Sequence, residues 1–273
     1  MNEGKTTMAP ITVALAQLRS VVGDSAGNLR RAAAAIRDAA GRGARLVLLP
    51  ELFLPGYAAE EKFAALAEPV PGPSTRALAN LAGSLKVEVV VGLARRDVAY
   101  PHGVYNSAVM LGARGVGAVY DKVHLGTFGP FREGCWFAPG REAGVVPTVL
   151  GPAGLAICYD CSFPELPRRL ARAGAESLLV ISAGPVAARE KWGHLLRTRA
   201  YENAMWVLYC NAVGEQGPYA FFGGSRIVAP DGEVFAHACD GEEEILVAQI
   251  DPEVVARERY RRHPFRVDGP AQA

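Results

Sequence analysis

What this chain of 273 residues lacks narrows its class before any motif is read. No run of Lys and Arg stands out and the formal net charge is only +1, so nucleic-acid binding has no electrostatic footprint. No uninterrupted apolar stretch approaches the roughly 18 residues of a membrane span, so no membrane partner is expected. Residues 1–10, MNEGKTTMAP, lack the apolar core of a signal peptide, and the expected location is the cytoplasm. Cysteine is scarce and odd in number: Cys135, Cys158, Cys161, Cys210 and Cys239. Without a secretion signal, that count argues for reduced thiols rather than a disulfide framework. A zinc site would need a second close pair of Cys or His ligands. Cys210 and Cys239 stand alone and the five histidines are scattered, so neither a metal nor another cofactor is expected. Lysine is rare too, five among 29 basic residues.

What is present is an ample core, with 50% hydrophobic residues in a length that fits one large α/β domain or two small ones. ITVALAQL (11–18) and ARLVLLPE (44–51) read as buried strands around a helix through NLRRAAAAIRDAAGRG, capped by Asp24 or Ser25. PGPSTRALANLAGSLK (71–86) reads as a turn, a cap and an amphipathic helix, followed by three strand-like runs. A loop rich in Gly, Pro and aromatics occupies 126–147. Beyond it, strands and helices alternate again, with a hairpin turn at Pro230-Asp231-Gly232. The order is β-α-β-α-β-β-β, then the same again. Two packed sheets with helices outside would bury every apolar run. No low-complexity linker divides the halves, which predicts a single domain over 1–273 with its core at about 11–250. Residues 251–273 are polar and Arg-rich, which suits a C-terminal arm or tail.

Strand ends in α/β proteins project polar side chains into clefts from a rigid base. Three carry unusual residues: Glu51 after RLVLLP, Lys122 after GAVYD and Cys158 after GLAI. Taken singly, each has a bland reading: a solvated Glu, a solvated Lys, a small core Cys. In a chain that uses Arg for most of its positive charge, a Lys at a strand end points to a need for a compact ammonium. Together the trio can run acyl transfer without histidine. A desolvated Glu51 would take the thiol proton, and Lys122 would stabilise an oxyanion. Cys158 and Cys161 also form C-x-x-C between a strand and a helix, which is the redox arrangement. His124, two residues past Lys122, offers a rival Cys–His dyad.

LLPELFLPGY (48–57), YDKVHL (120–125), REGCWFAPG (132–140), AICYDCSFPE (156–165), LLRTRAYENAMWVLYCNAVG (195–214) and FFGGSRIVAPDGEV (221–234) resemble the nitrilase superfamily of carbon–nitrogen hydrolases. The resemblance runs from about 11 to 250 and implies a four-layer αββα sandwich. It implies Glu51 as base, Lys122 as oxyanion donor, Cys158 as nucleophile and Glu133 as a second glutamate holding the lysine. It also implies the Tyr159 backbone N–H as the other oxyanion donor, and makes Cys161 an incidental neighbour. The implied reaction is hydrolysis of a small amide through a Cys thioester, by a homodimer or larger homo-oligomer. Cys158-Tyr159-Asp160 resembles the amidase and carbamoylase branches, whereas nitrilases proper usually carry Cys-Trp-Glu. N-carbamoyl amine hydrolysis and nitrile hydrolysis are the alternatives within the superfamily. A thiol redox protein, or an interaction module on a dead hydrolase scaffold, is the alternative outside it. Tyr57, Phe128, Trp136 and Phe137 are candidate pocket walls. Glu165 is read as anchoring the first helical turn after the nucleophile, and Asn211 and Gly223-Gly224 match scaffold motifs.

Overall fold

The computed structural model describes residues 9–100 and 103–262. The first half runs β1 (Ile11–Gln17), α1 (Ser25–Gly41), β2 (Leu46–Leu48), a one-turn α2 (Phe63–Leu66), α3 (Pro73–Leu85), β3 (Glu88–Arg96), β4 (Val104–Gly112) and β5 (Gly115–Asp121). The second opens with a one-turn α4 (Glu133–Trp136), β6 (Val145–Thr148), β7 (Gly151–Ile157), α5 (Glu165–Arg172), β8 (Ser177–Ser182), α6 (Arg189–Asn203) and β9 (Trp206–Asn211). It closes with the β10 (Val213–Gln216) and β11 (Tyr219–Phe222) hairpin, β12 (Arg226–Val228), β13 (Val234–His237), β14 (Glu244–Ile250) and α7 (Val254–Arg262). One six-stranded sheet has the order β14-β1-β2-β3-β4-β5, the other β13-β12-β9-β8-β7-β6. β14 leaves the second half to pair antiparallel with β1, Ile250 opposite Ile11, and so ties the two halves together.

Strand periodicity assigns the faces. Val13, Leu15, Leu46 and Leu48 point toward the second sheet, where Leu155, Ile157, Leu179 and Leu208 join the same cluster. Ala14, Ala16, Val47 and Leu49 point the other way, against Ile36 and Ala39 of α1 and Leu78 and Ala82 of α3. The thiol of Cys210 bridges the two sheets by donating to the Leu48 carbonyl at 3.2 Å. β8, with neighbours on both sides and layers on both faces, reads as a continuous buried run, SLLVIS. At the start of α1 it is Asp24 that caps, its carboxylate accepting from the Gly27 N–H at 2.8 Å. These are the αββα layers that the resemblance implied.

Two stretches differ from the sequence reading. The supposed loop at 126–147 contains α4 and the start of β6, the edge strand of its sheet. Pro147 sits within β6, and an edge position tolerates the missing N–H of proline. The expected arm after residue 250 is, as far as it is described, a helix folded back on its own chain. Val255 is buried, the Trp206 indole donates to the Asp251 carbonyl at 3.2 Å, and Arg262 Nη1 donates to the Tyr201 carbonyl at 2.7 Å. Residues 263–273 of that expected arm lie outside the described residues.

Candidate active site

The turn after β2 carries Glu51 deep into the protein. Leu52 directly after it has a left-handed backbone (φ 48°), an uncommon state for a branched residue. The turn lies so close to β3 that a Cβ on Gly92 would stand 2.4 Å from both the Pro50 carbonyl oxygen and the Leu52 nitrogen. Only glycine fits there. Lys122 follows β5, and its own N–H is held by the Asn106 carbonyl of β4 at 2.8 Å. Glu133 opens α4.

These three side chains meet. Lys122 Nζ donates to Glu51 Oε1 and to Glu133 Oε1, each at 2.7 Å. Lys122 and Glu51 are 1% exposed and Glu133 is 4% exposed, so a charge here without partners would be heavily penalised. Every carboxylate oxygen is accordingly served. Glu51 Oε1 also accepts from Asn106 Nδ2 at 2.7 Å, and Oε2 accepts from the Ala183 N–H at 2.9 Å across the sheet interface. Glu133 Oε1 also accepts from the Tyr57 hydroxyl at 2.6 Å, and Oε2 from the Gly126 N–H at 2.9 Å. Burial and the nearby Glu133 charge push the Glu51 carboxyl above the usual carboxylate range, partly offset by Lys122. Burial pulls the Lys122 ammonium down, but Glu133 and Glu51 outweigh it and hold the group well above its ordinary value.

Cys158 directly follows β7 and begins a single 3-10 turn, Cys158–Ser162. Its φ of 43° is again left-handed, so the nucleophile candidate stands on a sharp strand-to-turn bend. Asp160 holds the bend. Its buried carboxylate accepts from the Ile157 N–H at 3.0 Å, the Tyr120 hydroxyl at 2.7 Å and the His124 N–H at 2.9 Å. The Arg199 guanidinium of α6 donates to the Cys161 carbonyl at 2.8 Å and fixes the far side. Burial and the Glu51 charge push the Cys158 thiol up, with Lys122 countering. His124 faces Asp160, with Nδ1 3.0 Å from Oδ1, and its ring stacks on Phe163 at 3.7 Å. Cys161 is fully buried in the core and burial pushes its thiol far up, which makes it a poor redox partner.

A cleft of about 220 Å³ opens onto this group, with Lys122, Glu133, Cys158 and Tyr159 in its wall. Tyr57, Phe128 and Phe131 line it on one side, Trp192, Leu195 and Lys191 of α6 on the other. Tyr57 and Phe128, candidate pocket walls, thus line this cleft. Trp136 and Phe137 do not. They border a small void behind Glu133, where Phe137 packs on Phe63 at 4.6 Å, because α4 turns its aromatic end away from the cleft. Glu165 lies exposed in the first turn of α5. Asn211 is scaffold, accepting from the Gly184 N–H at 2.7 Å and donating to the Gly223 carbonyl at 2.8 Å. The sequence reading missed Asn106, Gly92 and Lys191. An Asn inside the apolar run VYNSAVMLG was the one available signal, since a buried amide demands a partner. Among the described residues, no group of three or more His, Cys, Asp or Glu side chains is arranged to hold a metal.

A family model described as carbon-nitrogen hydrolase matches residues 12–260. The chain is 34% identical over 268 residues to omega-amidase NIT3 of Saccharomyces cerevisiae, covering 93% of this chain and 92% of that protein. The crystal structure of Nit3 superposes with a TM-score of 0.86 at 30% identity, over the full length of both chains. A mutant of the amidase from Nesterenkonia sp. AN1, solved with covalent addition of the acetamide moiety of fluoroacetamide at its active-site cysteine, gives a TM-score of 0.81 at 29% identity. That match covers 95% of this chain and 97% of the other.

Proposed function

The chain belongs to the carbon-nitrogen hydrolase family, and from that premise we propose that it is a thiol-dependent amidase acting on small amides through a thioester on Cys158. One observation carries this reading: Glu51, Lys122 and Glu133 converge in one hydrogen-bonded group beside Cys158, at the floor of a cleft large enough for a small acyl chain.

The reaction follows from that arrangement. Glu51 takes the Cys158 proton as sulfur attacks the amide carbon, and the oxyanion is stabilised by Lys122 and the Tyr159 N–H. Glu51 returns the proton to the nitrogen, the carbon–nitrogen bond breaks and ammonia leaves. Glu51 then deprotonates a water that attacks the thioester. Collapse of the second adduct expels the thiolate, which regains the proton, and the acid departs. Glu133 keeps Lys122 aligned. Holding Glu51 above the usual carboxylate range brings its basicity nearer to that of the thiol it must deprotonate.

The walls favour a particular amide. They are mostly apolar and aromatic, and the charge of Lys122 is already balanced by two carboxylates. Lys191, also in the wall, has no hydrogen-bond or ion-pair partner among the described residues. An acyl group with a carboxylate at its far end would satisfy it, so monoamides of dicarboxylic acids are the preferred substrates. The omega-amidase name of the yeast relative supports the same choice. We place the enzyme in the cytoplasm, as a homodimer or larger homo-oligomer. Ammonia release from a panel of aliphatic amides, dicarboxylic monoamides, N-carbamoyl amines and nitriles tests the reading. Turnover of the monoamides, abolished in Cys158→Ala, is the expected result. Turnover of N-carbamoyl amines or nitriles alone would reassign the reaction.

A further inference from the structure

Behind the nucleophile lie two hydroxyl groups that the steps above do not use. Ser182 is the last residue of β8, one position beyond Ile181, which pairs with Ile157 immediately before Cys158. Tyr209 lies on β9 opposite Val180, two positions before Ser182, so its ring and the Ser182 side chain share a sheet face. Both residues are completely buried, and neither hydroxyl has a well-formed hydrogen bond among the described residues. Buried hydroxyls without partners are rare in folded proteins and costly to keep.

Their surroundings point to what they serve. The Ser182 hydroxyl lies beside the Cys158 sulfur, and the Tyr209 hydroxyl lies beside Ser182. Room for the phenol is made by Gly184, where a Cβ would stand 2.6 Å from the Tyr209 oxygen and 3.1 Å from Trp192 Nε1. The Tyr209 ring is in turn clamped against Trp192, a wall of the cleft, with centroids 5.0 Å apart. Burial keeps the phenol protonated, so it can donate but not compete for the proton.

We propose that Ser182 and Tyr209 form a hydroxyl relay that holds the Cys158 sulfur while it carries negative charge. Tyr209 O–H donates to Ser182 Oγ, and Ser182 O–H donates to the sulfur. No proton is transferred along the relay: Glu51 alone takes the thiol proton, and the hydroxyls solvate the thiolate formed at attack and expelled at deacylation. Ser182 touches the reacting sulfur itself, whereas Tyr209 acts through Ser182 and is a positioning residue.

The titratable groups around the sulfur are Glu51, Lys122, Glu133, Tyr57, Cys161 and Tyr209 itself. The first three dominate its charge balance and are untouched by the proposed variants, so a change in thiolate stability reports on the relay. The inference rests on Cys158 being the nucleophile, and the test separates the two.

Alkylation by iodoacetamide is followed from pH 6 to 9 by mass spectrometry of the Cys158 peptide, in wild type, Ser182→Ala, Ser182→Thr and Tyr209→Phe. Loss of a hydrogen bond to a charged sulfur predicts about tenfold slower alkylation at a given pH in Ser182→Ala, the whole profile moving about one unit to higher pH. Ser182→Thr keeps the hydroxyl and should restore most of the rate, whereas Tyr209→Phe should slow it about threefold. Should Ser182→Ala fail to fold, Tyr209→Phe, which removes one oxygen, decides the matter. A wild-type profile retained in Ser182→Ala or Tyr209→Phe, or equal losses in Ser182→Ala and Ser182→Thr, would overturn the relay. Wild type that is alkylated elsewhere but not at Cys158 would instead overturn the nucleophile.

Discussion

The hydroxyl of Tyr57 donates to Glu133 Oε1 at 2.6 Å, on the same oxygen that receives the Lys122 ammonium. Both residues are visible as site candidates in the sequence, but their contact depends on the fold. It makes Glu133 a fixed support for Lys122, held from three sides. Tyr57→Phe should therefore lower kcat by about tenfold or more, the usual worth of a hydrogen bond to a charged group. KM should change little. A variant with wild-type kcat would show that Glu133 needs no such brace.

The acid limb of the pH profile tests the role of Glu51. Its carboxyl lies above the ordinary 4.5 because of burial. As the base must be ionised to accept the thiol proton, kcat/KM should fall toward acid with a midpoint above 4.5. The same shift has a stability consequence. Between 4.5 and the raised folded value, the folded state holds this proton and the unfolded state releases it. Glu51's contribution to stability is thus full below 4.5 and is lost as pH rises through that window. Wild type should lose thermal stability relative to Glu51→Gln across the window. A midpoint at or below 4.5, or a parallel stability curve, contradicts this.

Lys191 should discriminate among amides without entering the chemistry. Lys191→Ala should raise KM for a dicarboxylic monoamide on the order of fivefold, as expected for an exposed ion pair. KM for an uncharged aliphatic amide should stay within about twofold. Equal effects on both substrates would remove Lys191 from recognition.

His124 and Cys161 should both be dispensable for catalysis. His124 is engaged by Asp160 and Phe163, and Cys161 is enclosed in the core. His124→Ala loses one of several contacts that hold the nucleophile bend and should keep more than about a tenth of the activity. Cys161→Ser should retain turnover at reduced stability, since it buries a hydroxyl in an apolar site. A dead His124→Ala beside an active Glu51→Gln would establish a Cys–His dyad instead.

Much of the proposed site was legible because its candidate residues stand at strand ends. Glu51 and Cys158 follow buried strands and Lys122 follows the edge strand β5, and a charged or reactive residue at a strand end is conspicuous. Asn106, Gly92 and Ser182 were hidden for the opposite reason. Each lies within or at the end of a strand, and its value comes from sheet register, which places Asn106 against Glu51 and the Ser182 hydroxyl beside Cys158. Trp136 and Phe137 were misjudged because composition does not tell which way a one-turn helix faces. The C-terminal helix escaped because its inward contacts rest on Val255 and on arginine stems and backbone carbonyls, which leave little apolar periodicity to read.

The central claim is that the amide carbon becomes bonded to the Cys158 sulfur. The most direct measurement is peptide-mapped mass spectrometry of enzyme acid-quenched during turnover of a dicarboxylic monoamide, with Cys158→Ala as control. The account predicts a mass gain equal to the amide minus ammonia, confined to the Cys158 peptide and absent from the control. An acyl adduct on Cys161, or steady ammonia release from Cys158→Ala, would contradict it.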